Sequence, residues 1–134
     1  MIIEKELKKV ILDLTRSNHA DIELSGFTIT IDSYDQGSWV SLSTVVYRGG
    51  DYIPPSVRNC IHDKPLFLRG SIPAELKIFE DSYLIKLSYL GKANCINCPE
   101  FFNLMEDFRW LAGKWRDYVD ENDQNDLVYI YKNR

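Results

Sequence analysis

The sequence predicts an α+β domain: an antiparallel β-sheet with an N-terminal helix and a long C-terminal amphipathic helix packed on it. Three patterns carry that expectation. Ile3, Leu7, Val10, Ile11 and Leu14 recur at three- and four-residue steps, the spacing of one helix face, with Glu4, Lys5, Lys8, Lys9 and Asp13 opposite. Phe27, Ile29 and Ile31 then alternate with polar residues, and Val40, Leu42 and Val46 with Trp39, Ser41, Ser43, Val45 and Tyr47, which is the period of half-buried strands. Finally, Phe101, Leu104, Met105, Phe108, Leu111, Ala112, Trp115, Tyr118 and Val119 form one apolar stripe over about five helical turns.

The first helix is expected to end near Ser17 and Asn18. The two period-two stretches flank the turn-rich DSYDQGS and are expected to pair as a hairpin, closed by Arg48-Gly49-Gly50-Asp51. From Tyr52 to Lys64, Pro54 and Pro55 forbid a regular strand, while Ile53, Val57, Cys60 and Ile61 have helical spacing, so a short helix is expected. PLFLRG from Pro65 reads as a short strand, and AELKIF and YLIKLSYLG as two more, joined at Glu80-Asp81-Ser82. In the last helix, Pro99 suits the first turn, Asn97 or Cys98 the cap, and Glu100 the positive end of the dipole. DENDQND is expected to break that helix, and Leu127 to Tyr131 to form a final strand.

Length and composition set the class. The 134 residues, 45% hydrophobic and 27% charged, suit one domain (1–134) with its own core and no linker. A net charge of −4 with scattered Lys and Arg argues against nucleic acid, which needs concentrated positive charge. No stretch approaches the roughly 18 apolar residues of a membrane span, and the start lacks the apolar run of a signal peptide. A cytoplasmic protein with no membrane association is expected, and three cysteines point to reduced thiols.

The chemical motifs are each missing a half. Cys60, His62, Cys95 and Cys98 could supply four zinc ligands, or Cys95 and Cys98 a redox pair before a helix; a second CxxC or an HxxxH, or a βαβ context, is wanting. Cys60 in apolar surroundings reads better as a small core residue. Counted from Asp120, the positions where a calcium loop needs Gly and Glu hold Asn125 and Tyr131. His19 and His62 lie in no nucleophile motif, Gly49-Gly50 lacks the rest of a phosphate loop, and Glu80-Asp81 reads as a turn. The expectation is a protein that is not an enzyme, with no catalytic residues, no metal and no cofactor.

Aromatic residues in excess of the core point instead to binding another protein. Trp110 falls about 180° from the apolar stripe of the last helix, among Asn103, Glu106, Asp107, Lys114 and Asp117, and is expected to contribute nothing to the core. Trp39, Val45 and Tyr47 share the hairpin face of Ser41 and Ser43, opposite the aliphatic side. Trp39, Val45, Tyr47 and Trp110 are therefore the candidate partner-binding residues; Trp and Tyr give large contact areas at low entropic cost.

This order of elements resembles the small specific chaperones of bacterial type III secretion, especially the chlamydial ones. The segment EFFNLMEDFRWLAGKWRDYV looks like the closing helix of that family, where a Phe and Leu ladder leads to a Trp-Arg pair, here Trp115-Arg116. The middle helix with its two prolines is shorter than the family's, and the C-terminal strand is additional. The resemblance implies a secretion-chaperone-like fold, no catalytic residues, a homodimer, and a secreted effector held in extended form along apolar sheet patches. An immunity protein that neutralises a bacterial toxin is the alternative, with the acidic run Asp117 to Asp126 as the contact for a basic toxin. A zinc or thiol protein using Cys60, His62, Cys95 and Cys98 is the third.

Overall fold

The computed structural model describes residues 4–24, 26–35, 38–62, 74–92 and 99–132, with the side chains of Glu4 and of residues 124–132 left aside. The elements run α1 (Glu4–Ser17), β1 (His19–Leu24), β2 (Phe27–Tyr34), β3 (Trp39–Arg48), α2 (Pro55–Cys60), β4 (Glu75–Phe79), β5 (Leu84–Lys92) and α3 (Pro99–Lys132). Among the described residues all strand pairs are antiparallel, in one five-stranded sheet of order β1-β2-β3-β5-β4. Among the described residues no helix is long and apolar enough to cross a membrane.

Helix α1 stops where Asn18 takes φ 60°, a left-handed conformation that Asn tolerates better than most residues, and its N–H donates to the Leu14 carbonyl at 2.9 Å. Asn18 is also tied to β2: its carbonyl accepts from the Ser33 N–H at 2.9 Å and its Oδ1 from the Ser33 hydroxyl at 3.0 Å. The chain can therefore enter β1 at His19, without a loop. The sequence reading missed this strand. HADIEL alternates exposed and buried residues, but Ala, Asp and Glu are poor strand formers, and pairing with β2 from His19↔Asp32 to Leu24↔Phe27 overrides them. Gly26, at φ 85°, sits in the tight link between those strands.

The predicted hairpin of β2 and β3 is present, paired from Thr30↔Ser43 to Tyr34↔Trp39. Its far end differs from a simple alternation. The register slips between Val45 and Tyr47, a bulge that turns both Val46 and Tyr47 inward. Tyr47, expected beside Trp39 and Val45, is instead a core residue at 7% exposure. The short middle helix is present but narrower, Pro55–Cys60, with Pro54 at its cap and Pro55 in its first turn, where neither proline breaks a hydrogen bond. A side chain at Gly49, just before it, would collide with the Tyr52 carbonyl.

β4 and β5 form the second antiparallel unit, and β5 also pairs along β3, so the two hairpins make one sheet. The strand expected at PLFLRG lies outside the described residues. The C-terminal strand does not form, because α3 continues as a helix through Lys132. DENDQND contains neither Gly nor Pro, and Asn122 lies within the helix, its amide donating to the Tyr118 carbonyl at 2.8 Å. Leu127, Ile130 and Tyr131 fit a helical spacing while Leu127, Tyr129 and Tyr131 fit an alternating one, an ambiguity inherent in short apolar runs.

One cluster holds the molecule together. Val10 and Leu14 of α1, the inward residues of β1, β2, β3 and β5, and Phe101, Met105, Phe108, Leu111, Ala112, Trp115 and Val119 of α3 are all buried in it. Cutting Phe108, fully buried, back to Ala should cost about 3–5 kcal/mol in a urea unfolding titration, through lost transfer energy and the cavity left behind.

Candidate protein-binding face

Because the helices gather on one side, the sheet has a second face that no described helix covers. Strand alternation and register place the outward side chains in rows: His19, Asp21 and Glu23 on β1; Thr28, Thr30, Asp32 and Tyr34 on β2; Trp39, Ser41, Ser43 and Val45 on β3. The rows continue with Lys86, Ser88, Leu90 and Lys92 on β5, and Glu75, Lys77 and Phe79 on β4. Small residues sit in the middle. Ser41, Ser43 and Ser88 floor a groove of about 730 Å³ with Tyr34, Trp39 and Leu90 around one end and Glu75 and Lys77 along the β4 side. Five large hydrophobic side chains stand out as exposed among the described residues, and Tyr34, Phe79 and Leu90, the last at 60%, are on this face. Tyr34 and Leu90 stand at the groove, and Phe79 at the far end of the same face, paired with Leu84.

Charged side chains lie over the aromatic rings of this face. The Lys92 ammonium lies 5.6 Å from the Trp39 ring centroid and that of Lys86 4.9 Å from the Phe79 ring. At the opposite edge, His19 Nδ1 is 2.7 Å from Asp32 Oδ1 and its Nε2 is 3.3 Å from Asp21 Oδ2, while the Thr30 hydroxyl donates to Asp21 at 2.9 Å. Hydrogen bonds to Asp32 and Asp21 raise the His19 pKa above its ordinary 6.5.

A second cavity, about 680 Å³, opens where β2 and β3 part beyond Thr30↔Ser43. Thr44 bridges the gap, its hydroxyl donating to the Thr28 carbonyl at 2.9 Å. Arg116 of α3 reaches the same place and stacks 4.3 Å from the Phe27 ring centroid, while its neighbour Trp115 is buried against Tyr118, ring centroids 6.0 Å apart and edge-on. Each member of the Trp-Arg pair thus has a packing task. Burial raises the pKa values of Asp120 and Tyr47 beside this cavity, for Tyr47 together with the Asp123 carboxylate.

The candidate residues divide accordingly. Trp39 and Val45 lie half-buried on the open face, Tyr47 is in the core, and Trp110 is on another element. Trp110 is not the detached residue its helical angle predicts: it is half-buried and packs against the core cluster, with the Lys114 ammonium 5.5 Å from its ring. Both β3 and α2 contact α3, and Glu106, Asp107 and Arg109 around Trp110 are half-buried too, so more of the helix's circumference is covered than one stripe implies. Tyr34, Phe79 and Leu90 went unrecognised, although tracing the alternation of β4 and β5 outward from Ser88 would have found two of them. Of the cysteine and histidine set, Cys60 is buried with its thiol donating to the Val57 carbonyl at 3.2 Å, His62 is exposed, and Cys95 and Cys98 lie outside the described residues.

Neither a protein-family model nor a curated protein sequence matches the chain. Among solved structures, a chain of the HopA1–SchA chaperone–effector complex matches with a TM-score of 0.54 and 17% identity, covering 87% of this chain and 99% of that one. At that identity the likeness is one of fold: α1, the antiparallel sheet and α3 make an architecture this chain shares with a component of a chaperone–effector complex.

Two measurements test this geometry. The raised pKa of His19 means its pairing stabilises the fold fully below the unfolded value near 6.5, and that contribution is lost as pH rises through the folded value. Relative to the parent, His19→Gln should therefore melt lower at about pH 6 and alike at about pH 9. Trp110→Ala should destabilise by about 1–3 kcal/mol in urea, because its ring packs on the core.

Proposed function

We propose that this protein is a non-enzymatic binding protein of the type III secretion chaperone kind, working in the bacterial cytoplasm and holding a segment of a secreted effector on the open face of its sheet. The observation that carries the reading is that face itself: a serine-floored groove ringed by Trp39, Tyr34 and Leu90, with Phe79 beyond it. The likeness in fold to a chain of a chaperone–effector complex supports the same kind of partner.

Physically, the task requires only that an otherwise unfolded segment be sheltered. Serine side chains leave room over the strand centres, so a partner's side chains can settle between Trp39 and Leu90 while the ring faces bury apolar area. No step needs a nucleophile, a general base or ATP. The energy comes from burial, at about 25 cal/mol per Å² of apolar surface, diminished by the cost of ordering the segment.

The test is capture from the native organism by the full chain and by the variants Trp39→Ser and Leu90→Ser. The expected outcome is recovery of the N-terminal region of a secreted protein by the parent and a loss of at least about tenfold in affinity for each variant, since central aromatic and aliphatic anchors contribute about 2 kcal/mol. Both variants should retain the parent's circular dichroism spectrum, because both side chains stand outside the core cluster. Recovery of a toxin domain would replace this reading with the immunity one, and unchanged capture by both variants would remove the groove from it.

A further inference from the structure

The open face is divided by charge. On the β1 and β2 side it carries Asp21, Glu23 and Asp32, with His19 between two of them. On the β5 and β4 side it carries Lys77, Lys86 and Lys92, with Glu75 3.6 Å from Lys77. The strand between them is neutral from Trp39 to Val45, showing Trp39, Ser41, Ser43 and Val45 outward, with Arg48 exposed at its far end beyond the bulge.

Register makes this division rigid. Asp32 faces Ser41 and Ser41 faces Leu90, while Val45 faces Lys86 and Lys86 faces Lys77, so acid and base lie on opposite sides of the same neutral row. Strands about 4.8 Å apart put Asp21 and Glu23 of β1 roughly 14–19 Å from the β5 and β4 lysines, and Asp32 of β2 about 10 Å or more from them. That exceeds the Debye length of about 8 Å at physiological salt, so the two groups do not cancel and each acts on what lies directly above it. The lysines are also joined to the apolar surface, with Lys92 over Trp39 and Lys86 over Phe79, so a segment settling on the rings meets the ammonium groups at once.

A net charge of −4 would by itself favour a uniformly basic partner. The local arrangement selects otherwise. Resting on the protein-binding reading above, we propose that the occupant of this face is a partner segment of divided charge. Its apolar side chains fill the serine-floored groove, its acidic residues lie over Lys77, Lys86 and Lys92, and its basic residues lie over Asp21, Glu23 and Asp32. Reversing the segment sets like charges against each other on both sides, so the face fixes its orientation as well as its place.

The probe is a short synthetic peptide with a Leu-Trp-Leu centre, glutamates at one end, lysines at the other and a nitroxide at the acidic end, compared with an isomer whose charges alternate. Both are titrated into the isotopically labelled full chain, and relaxation enhancement of the backbone amides is read by nuclear magnetic resonance. The divided peptide should bind at least about tenfold more tightly at low salt, and its label should broaden amides around Lys77 and Lys92 much more strongly than those at Asp21 and Glu23. Lys77→Glu combined with Lys92→Glu should abolish both the preference and the orientation. Equal affinity for the two peptides on this face, or broadening at both edges alike, would overturn the divided-charge inference and leave protein binding standing. Failure of both peptides to perturb the face, or a concentration-dependent dimer that buries it, would overturn the inference together with the binding site on which it rests.

Discussion

The placement of α3 governs the molecule. Its row of Phe101, Met105, Phe108, Leu111, Ala112, Trp115 and Val119 packs into the same cluster as the inward side of the sheet, and α1 joins that side through Val10 and Leu14. A sheet half covered in this way must keep polar or small residues on its other side, or else reserve that side for a partner. Serines occupy the middle of the outward face and charges its two edges, yet Tyr34, Phe79 and Leu90 stand among them, exposed.

Local devices support that arrangement at each corner. Asn18 ends α1 and fastens the turn to Ser33, which lets β1 follow directly and widens the sheet by a strand. The bulge at Val45 to Tyr47 draws Tyr47 inward, and that end of β3 borders the cavity lined by Arg116. Ser56 of α2 donates to the Asn122 carbonyl at 3.2 Å, linking the short helix to the long one within the acidic stretch.

The fold was legible where period was strong and long: α1, the β2–β3 hairpin, the β4–β5 unit and the first five turns of α3 were all readable from spacing. β1 was not, because its inward Ala20, Ile22 and Leu24 alternate with His and acids that seldom build strands, and only pairing with β2 decides the matter. The end of α3 was misjudged because polar residues that resemble a loop sustain a helix when no Gly or Pro interrupts them. Trp39 and Val45 were placed on the outward face of β3 by simple parity. Tyr47 escaped because one inserted residue reverses parity, which no pattern of alternation announces. Trp110 escaped because a helical wheel gives an angle and not the number of neighbours around the helix.

Burial of the open sheet face by a partner protein is the centre of this account, and hydroxyl-radical footprinting of the complex with its captured partner tests it most directly. Leu12 and Tyr52 are as exposed as the residues of that face and lie elsewhere, which makes them internal controls. The account predicts that Tyr34, Trp39, Phe79 and Leu90 lose reactivity on binding while Leu12 and Tyr52 keep theirs. Protection of Leu12 or Tyr52, with the sheet face left reactive, would contradict it.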